Sequence, residues 1–168
     1  MKNARIKKLA IAGLLCAVAV VGSLISFPVL GSKCAPVQHM VNIFCAVLLG
    51  PAYGVGVAFA ASLLRVFLSL GTAMAFPGSM LGALLCGIAY KTSKKIWLTL
   101  IAEVAGTSIL GGLCAYPVAV YIVGQSAAGV VFYSYIFPFF ISTAAGAILS
   151  AIIIYPLSKT GVLKKISS

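Results

Sequence analysis

The apolar positions of this chain fall in long runs rather than in alternation. Six runs stand out, at 9–30, 37–50, 53–70, 78–90, 97–123 and 132–158. Without the period-two pattern of barrel strands, such runs predict helices. The second and fourth are short for a full membrane crossing of ~20 residues. They begin after Pro36 and Pro77, so irregular backbone is expected there. At membrane depth such backbone survives only when it is buried in protein or lines a cavity. The pattern therefore predicts an all-α membrane protein with six transmembrane helices, one domain over residues 1–168, and both termini on the same side.

Composition narrows the class. Hydrophobic residues make up 62% of the chain, charged residues only 8%, and mean hydropathy is +1.19. A soluble domain needs far more polar surface. The N-terminus imitates a signal peptide, with Lys2, Arg5, Lys7 and Lys8 ahead of an apolar run. That run is longer than a signal core, and Leu15 before Cys16 does not fit a lipoprotein cleavage site, so it is assigned as a first transmembrane helix. Cys16, Cys34, Cys45, Cys86 and Cys114 are scattered without a C-x-x-C pair. With one histidine in the chain, neither a metal site nor a bound cofactor is expected.

Charge sets orientation. Of the 12 cationic residues, all but Lys33 and Arg65 fall in three clusters: Lys2/Arg5/Lys7/Lys8, Lys91/Lys94/Lys95 and Lys159/Lys164/Lys165. With six spans the three clusters share one side, which the positive-inside rule makes cytoplasmic. The net charge of +11 is then an orientation signal and a lipid contact, and calls for no nucleic acid.

Polar side chains are few enough to be informative. Gln38, His39 and Asn42 crowd the outer end of the second run, near the loop 71–77 and the loop 124–131. On a helix Gln38 and Asn42 share a face, as do His39 and Asn42. They could form a binding pocket, or cap a short helix and bridge to loop backbone. Arg65 shares a small and polar stripe with Ala58, Ser62, Ser69 and Thr72. Glu103, the only acid, shares one with Thr99, Gly106, Thr107 and Cys114. Charges within spans face the protein interior or water. A depth difference of ~8 Å, at about 1.5 Å per residue, leaves two readings open. Arg65 and Glu103 form an ion pair, or Arg65 reaches a polar or anionic substrate group. In the first run, Gly13 and Ala17, with Ala10, form a small-residue stripe that lets another helix approach closely, inside the bundle or on a partner. Gly50-Pro51 and Gly54 read as a tight turn. Tyr133 and Tyr135 read as an interfacial aromatic belt.

Several function classes drop out. One acid excludes a paired-carboxylate site, and the lone His39 lacks a G-x-S-x-G elbow, so no catalytic activity is expected. No nucleotide-binding loop is present, so the chain does not power transport from ATP alone. A small ion-coupled secondary transporter or a channel would show repeats, coupling-ion ligands or a filter sequence, and none stands out. A small membrane binding protein with an outer polar pocket and a surface for a partner fits better.

The blocks "CAPVQHMVNIFCAVLLGPAYG", "ASLLR" and "AFPGSMLGALLCGIAY" resemble the ThiW family, the thiazole-type S components of energy-coupling factor (ECF) transporters. The resemblance spans most of the chain, with PVQHMVN and FPGSM as its specific parts. It implies a six-helix fold in a prokaryotic plasma membrane that captures hydroxyethylthiazole, a thiamin precursor, or a close derivative from outside. Another small vitamin or heterocycle is the alternative cargo. It also implies a transmembrane coupling subunit and two cytoplasmic ATPases as partners. The contact with the coupling subunit falls on Ala10, Gly13 and Ala17, where Gly13 departs from the alanine usual in S components. A flat thiazole alcohol needs apolar walls and a few placed polar groups. Gln38, His39 and Asn42 would supply the hydrogen bonds, joined by Ser79 of FPGSM. Met74, Phe76 and Tyr133 would supply walls. Lys33 and Arg65 would pair with a phosphate or carboxylate if the cargo carries one.

Overall fold

The computed structural model describes residues 2–30, 32–126, 131–161 and 163, with side chains from Arg5 onward. The side chain of Lys2, residues 127–130 of the predicted outer loop, and Lys164 and Lys165 lie outside the described residues. The chain is mostly helical, with α1 Lys2–Gly22, α2 Pro36–Leu48, α3 Pro51–Phe67 and α4 Ala75–Ser93. Then follow α5 Ile96–Ile122 and α6 Ile136–Lys159. By length and composition α5 and α6 can each cross a membrane, while α2 and α3 are shorter apolar helices.

Two expectations need correction. The first run does not stay helical to residue 30. The helix stops at Gly22, and Phe27–Val29 (β1) pairs antiparallel with Ser32–Cys34 (β2). Pro28 cannot donate a helical hydrogen bond, and Phe27 and Val29 favour extended backbone. A hydropathy run cannot register that switch. The fold is therefore helical with one short hairpin, not all-α. The second correction concerns α5. It is continuous, but Gly106–Gly111 and Val118–Ile122 are wound as π-helix on either side of Pro117. A π turn holds more residues than an α turn, so it rotates everything beyond it. Thr99, Gly106 and Thr107 remain on the buried stripe of Glu103, while Cys114 is turned outward. The stripe of Arg65 likewise ends with its helix: Ala58 and Ser62 are buried, Ser69 and Thr72 exposed.

Local chemistry sets the other boundaries. Pro36 and Pro51 each occupy the first turn of a helix, where a missing N–H costs nothing. Gly50, between α2 and α3, has φ +90°, which side-chain-bearing residues rarely adopt, and makes the predicted tight turn.

Packing is inverted relative to a soluble protein. Leu14, Val21, Phe67, Ile148 and Ile152 are exposed, while Gln38, Asn42, Arg65, Ser79, Thr99, Glu103 and Thr143 are buried. Small residues allow the close approach that this needs. A Cβ at Gly82 would lie 2.8 Å from Glu103 Oε2, and one at Gly146 would lie 2.7 Å from His39 Cβ. Glycine at these two positions brings α4 against α5 and α6 against α2.

The ends of the bundle differ in chemistry. Tyr90, Lys91 and Lys94 line a crevice with Gly50 and Pro51, and Leu9 to Cys16 lie beside Ala52 to Ala60. The α4–α5 basic cluster and the N-terminal part of α1 thus gather near the α2–α3 turn. The hairpin lies at the opposite end. There Cys34 Sγ donates to Pro138 O at 3.3 Å, and Lys33 Nζ donates to Ser69 O at 3.3 Å.

Candidate functional site

The polar residues of PVQHMVN do not cap α2. Ala35 is the residue before the helix, and no side chain caps it. Its N–H is instead satisfied from another helix, by Ser142 Oγ of α6 at 3.0 Å. That bond docks the start of α2 against α6 and leaves Gln38, His39 and Asn42 free to reach inward.

They converge on Glu103. His39 Nδ1 lies 3.0 Å from Glu103 Oε1, Asn42 Nδ2 donates to the same oxygen at 2.9 Å, and Thr107 Oγ1 donates to it at 3.2 Å. Asn42 Nδ2 also donates to Ser79 O at 3.1 Å. Gln38 Nε2 donates to Ser79 Oγ at 3.1 Å and to Asn42 Oδ1 at 3.4 Å. One network thus ties α2 to α4 and α5. A carboxylate only accepts, so against an ionised Glu103 it is Nδ1–H of His39 that donates, with Nε2 left for other partners. Glu103 is fully buried, and such a charge is tolerated because the network compensates it.

Above the network lies a cavity of about 30 Å³, lined by Lys33, Ala35, Gln38, His39, Arg65, Ala75, Gly78, Ser79, Thr107, Phe139 and Ser142. That is room for a water or two, so a ring-sized cargo must part the walls. Arg65 is 3% exposed, and its Nη1 reaches Gln38 Oε1 at 3.5 Å. Among the described residues, three buried polar atoms have no protein partner: Arg65 Nε, Ser62 Oγ and Glu103 Oε2.

The predicted residues divide cleanly. Gln38, His39, Ser79, Lys33 and Arg65 meet at the cavity. Asn42 lies behind it as a brace, because both bonds of its amide nitrogen point into the network. Met74 packs with Ala115, Ala119 and Tyr135 in an apolar cluster. Phe76 stacks edge-on against Phe59 with ring centroids 5.7 Å apart. Tyr133 is 64% exposed and lines an outward apolar groove between α5 and α6. These three are not cavity walls. The expected Arg65–Glu103 pair is also absent: Glu103 Oε1 takes His39, Asn42 and Thr107, while Arg65 Nη1 reaches Gln38 Oε1. Phe139, Thr107 and Ser142 line the cavity unannounced. Thr107 was legible on the Glu103 stripe, whereas Phe139 and Ser142 sit in a long apolar run with no distinguishing signal.

The small residues of α1 face outward. Ala10, Gly13 and Ala17 are exposed, and a Cβ at Gly13 would meet nothing within 4 Å. Gly13 lies in an apolar groove with Leu9, Ala12 and Cys16 of α1 and Ala52, Gly56 and Ala60 of α3. Internal packing therefore does not explain the stripe.

Comparison with known proteins now adds identity to this geometry. The family model for the thiamine-precursor transporter protein ThiW matches residues 9–160. The chain belongs to the ThiW family. A solved structure described as the S component of a bacterial ECF transporter superposes with TM-score 0.76 and 20% identity, covering 95% of this chain and 98% of that one. At that identity the likeness establishes the fold. No curated protein matches. This ThiW chain is thus a membrane protein of a transporter family with an S-component fold, and its cavity lies at the hairpin end of it.

Proposed function

We propose that the chain is the substrate-capture subunit of an ECF-type importer. It would take up hydroxyethylthiazole or a close thiazole relative and work with a transmembrane coupling subunit and two cytoplasmic ATPases. The observation that carries this is the polar cavity at the hairpin end of a ThiW-family chain, with Gln38, His39, Ser79 and Arg65 on its wall. His39 is oriented by Glu103, which leaves its second ring nitrogen for a cargo hydroxyl or ring nitrogen. Phe139 supplies a flat apolar surface beside these groups.

Orientation follows from charge. The α4–α5 basic cluster and the N-terminal part of α1 lie away from the hairpin, so the positive-inside rule puts both termini in the cytoplasm of a prokaryotic cell and the cavity outside. The exposed small-residue stripe of Gly13 and Ala17 is the surface proposed to meet the coupling subunit. ATP hydrolysis belongs to the partners. The test is mass spectrometry of small molecules retained by the purified protein, followed by calorimetric titration with hydroxyethylthiazole. A chain that retains no thiazole and binds none would overturn the reading.

A further inference from the structure

We infer that the cavity recognises an anionic cargo group, a carboxylate or phosphate, and that Arg65 is the residue that receives it. The inference rests on the capture-subunit reading above and sharpens its substrate class to acidic or phosphorylated thiazoles.

Arg65 lines the cavity, is 3% exposed, and has its Nε without a protein partner. The side chain that its guanidinium reaches is a neutral amide. Gln38 Oε1 is 3.5 Å from Nη1, at the long limit of a hydrogen bond. The loop after α3 closes over the side chain, with Leu70 N and Gly71 N donating to Arg65 O at 2.8 and 3.1 Å. A Cβ at Gly71 would lie 3.4 Å from Nε, so the glycine lets that loop rest against the guanidinium without adding charge. The one acid in the chain, Glu103, takes His39, Asn42 and Thr107 on Oε1, and no ion pair joins it to Arg65 among the described residues. A second cation, Lys33, lines the same cavity, and its Nζ contacts the neutral Ser69 O.

A buried cation without a counter-charge is costly. Guanidinium N–H groups suit carboxylate and phosphate oxygens, through charge-assisted bonds stronger than those to a neutral hydroxyl. A cargo anion would fill the missing partnership, with Lys33 exchanging a carbonyl for a charged oxygen. A neutral alcohol would leave it unfilled.

The experiment is calorimetric titration of the full chain in detergent with three probes: hydroxyethylthiazole, its phosphate ester and a methylthiazole carboxylate. At least one anion should bind about tenfold tighter than the alcohol, and the two anionic arms separate phosphate from carboxylate. Arg65→Gln should shrink that preference to under about threefold, the scale left by neutral hydrogen bonds. If Arg65→Gln does not fold, Arg65→Lys serves, since it keeps the charge and loses the planar donors, and it should lose part of the preference. Equal or tighter binding of the alcohol by the wild type would overturn the inference while leaving the thiazole reading intact. So would an anion preference that survives both variants. If no thiazole binds, the thiazole reading falls instead. The anion inference is then decided by inorganic phosphate and benzoate: a rise in melting temperature that depends on Arg65 supports it, and its absence overturns it.

Discussion

His39 Nδ1 and Glu103 Oε1, 64 residues apart in sequence, meet at 3.0 Å and join α2 to α5. The contact matters because Glu103 is wholly buried and its other oxygen has no protein partner. Glu103→Gln keeps the volume but turns an acceptor that serves three donors into an amide, and should cost ~1–3 kcal/mol of stability in reversible unfolding. A double-mutant cycle with His39→Ala should then show coupling of ~1 kcal/mol or more, whereas costs that add within about 0.5 kcal/mol would mean that the contact carries little energy.

Asn42 and His39 should fail in different ways. Asn42 bonds to Ser79 O and Glu103 Oε1 behind the cavity, while His39 lines it. Asn42→Ala leaves a buried carbonyl and a buried carboxylate each short of a donor, at a cost of ~1–3 kcal/mol of stability. His39→Ala should lower cargo affinity by about tenfold, ~1.4 kcal/mol, in addition to its effect on unfolding. Titration and melting of both variants side by side would check this. Equal affinity losses for the two would place Asn42 on the binding surface.

The six helices were legible because apolar runs and proline positions report membrane-scale helices directly. So was the gathering of Gln38, His39, Ser79 and Arg65, since polar groups among so much hydrocarbon must be buried together. The partner of Glu103 was not legible. Depth placed Arg65 within reach, but one residue per turn decides which way a side chain points, and the docking of α2 by Ser142 turned His39 toward α5. The hairpin was hidden because Phe27, Val29 and Leu30 are as apolar as the helix before them. The outward turn of Cys114 was hidden because no residue type announces a π segment.

Orientation is open to a direct test. In a variant whose native cysteines are replaced, a cysteine at Lys33 should react with a membrane-impermeant maleimide on intact cells. One at Lys94 should react only after permeabilisation. Both positions are solvent-exposed, so accessibility within the fold does not limit labelling. The reverse pattern would put the cavity on the cytoplasmic side.

Two glycines separate folding from assembly. A Cβ at Gly82 would sit 2.8 Å from Glu103 Oε2 and 2.9 Å from its carboxyl carbon, whereas one at Gly13 would meet nothing within 4 Å. Gly82→Val pushes a branched side chain into the contact between α4 and α5. The carboxylate there cannot move without breaking its bonds to His39, Asn42 and Thr107. Overpacking of this kind costs ~1–3 kcal/mol even in apolar cores, and here it also disturbs a buried charge. Gly82→Val should therefore lower both yield and melting temperature, and cargo binding with them. Gly13→Leu enters an open groove beside Gly56 and Ala60, so the isolated chain should melt within about 0.5 kcal/mol of the wild type, as surface changes do. Its effect should appear only when another helix has to approach, as reduced co-purification with the coupling subunit and ATPases. Wild-type recovery of the complex with both Gly13→Leu and Ala17→Leu in place would remove α1 from the interface and turn attention to other exposed helix faces.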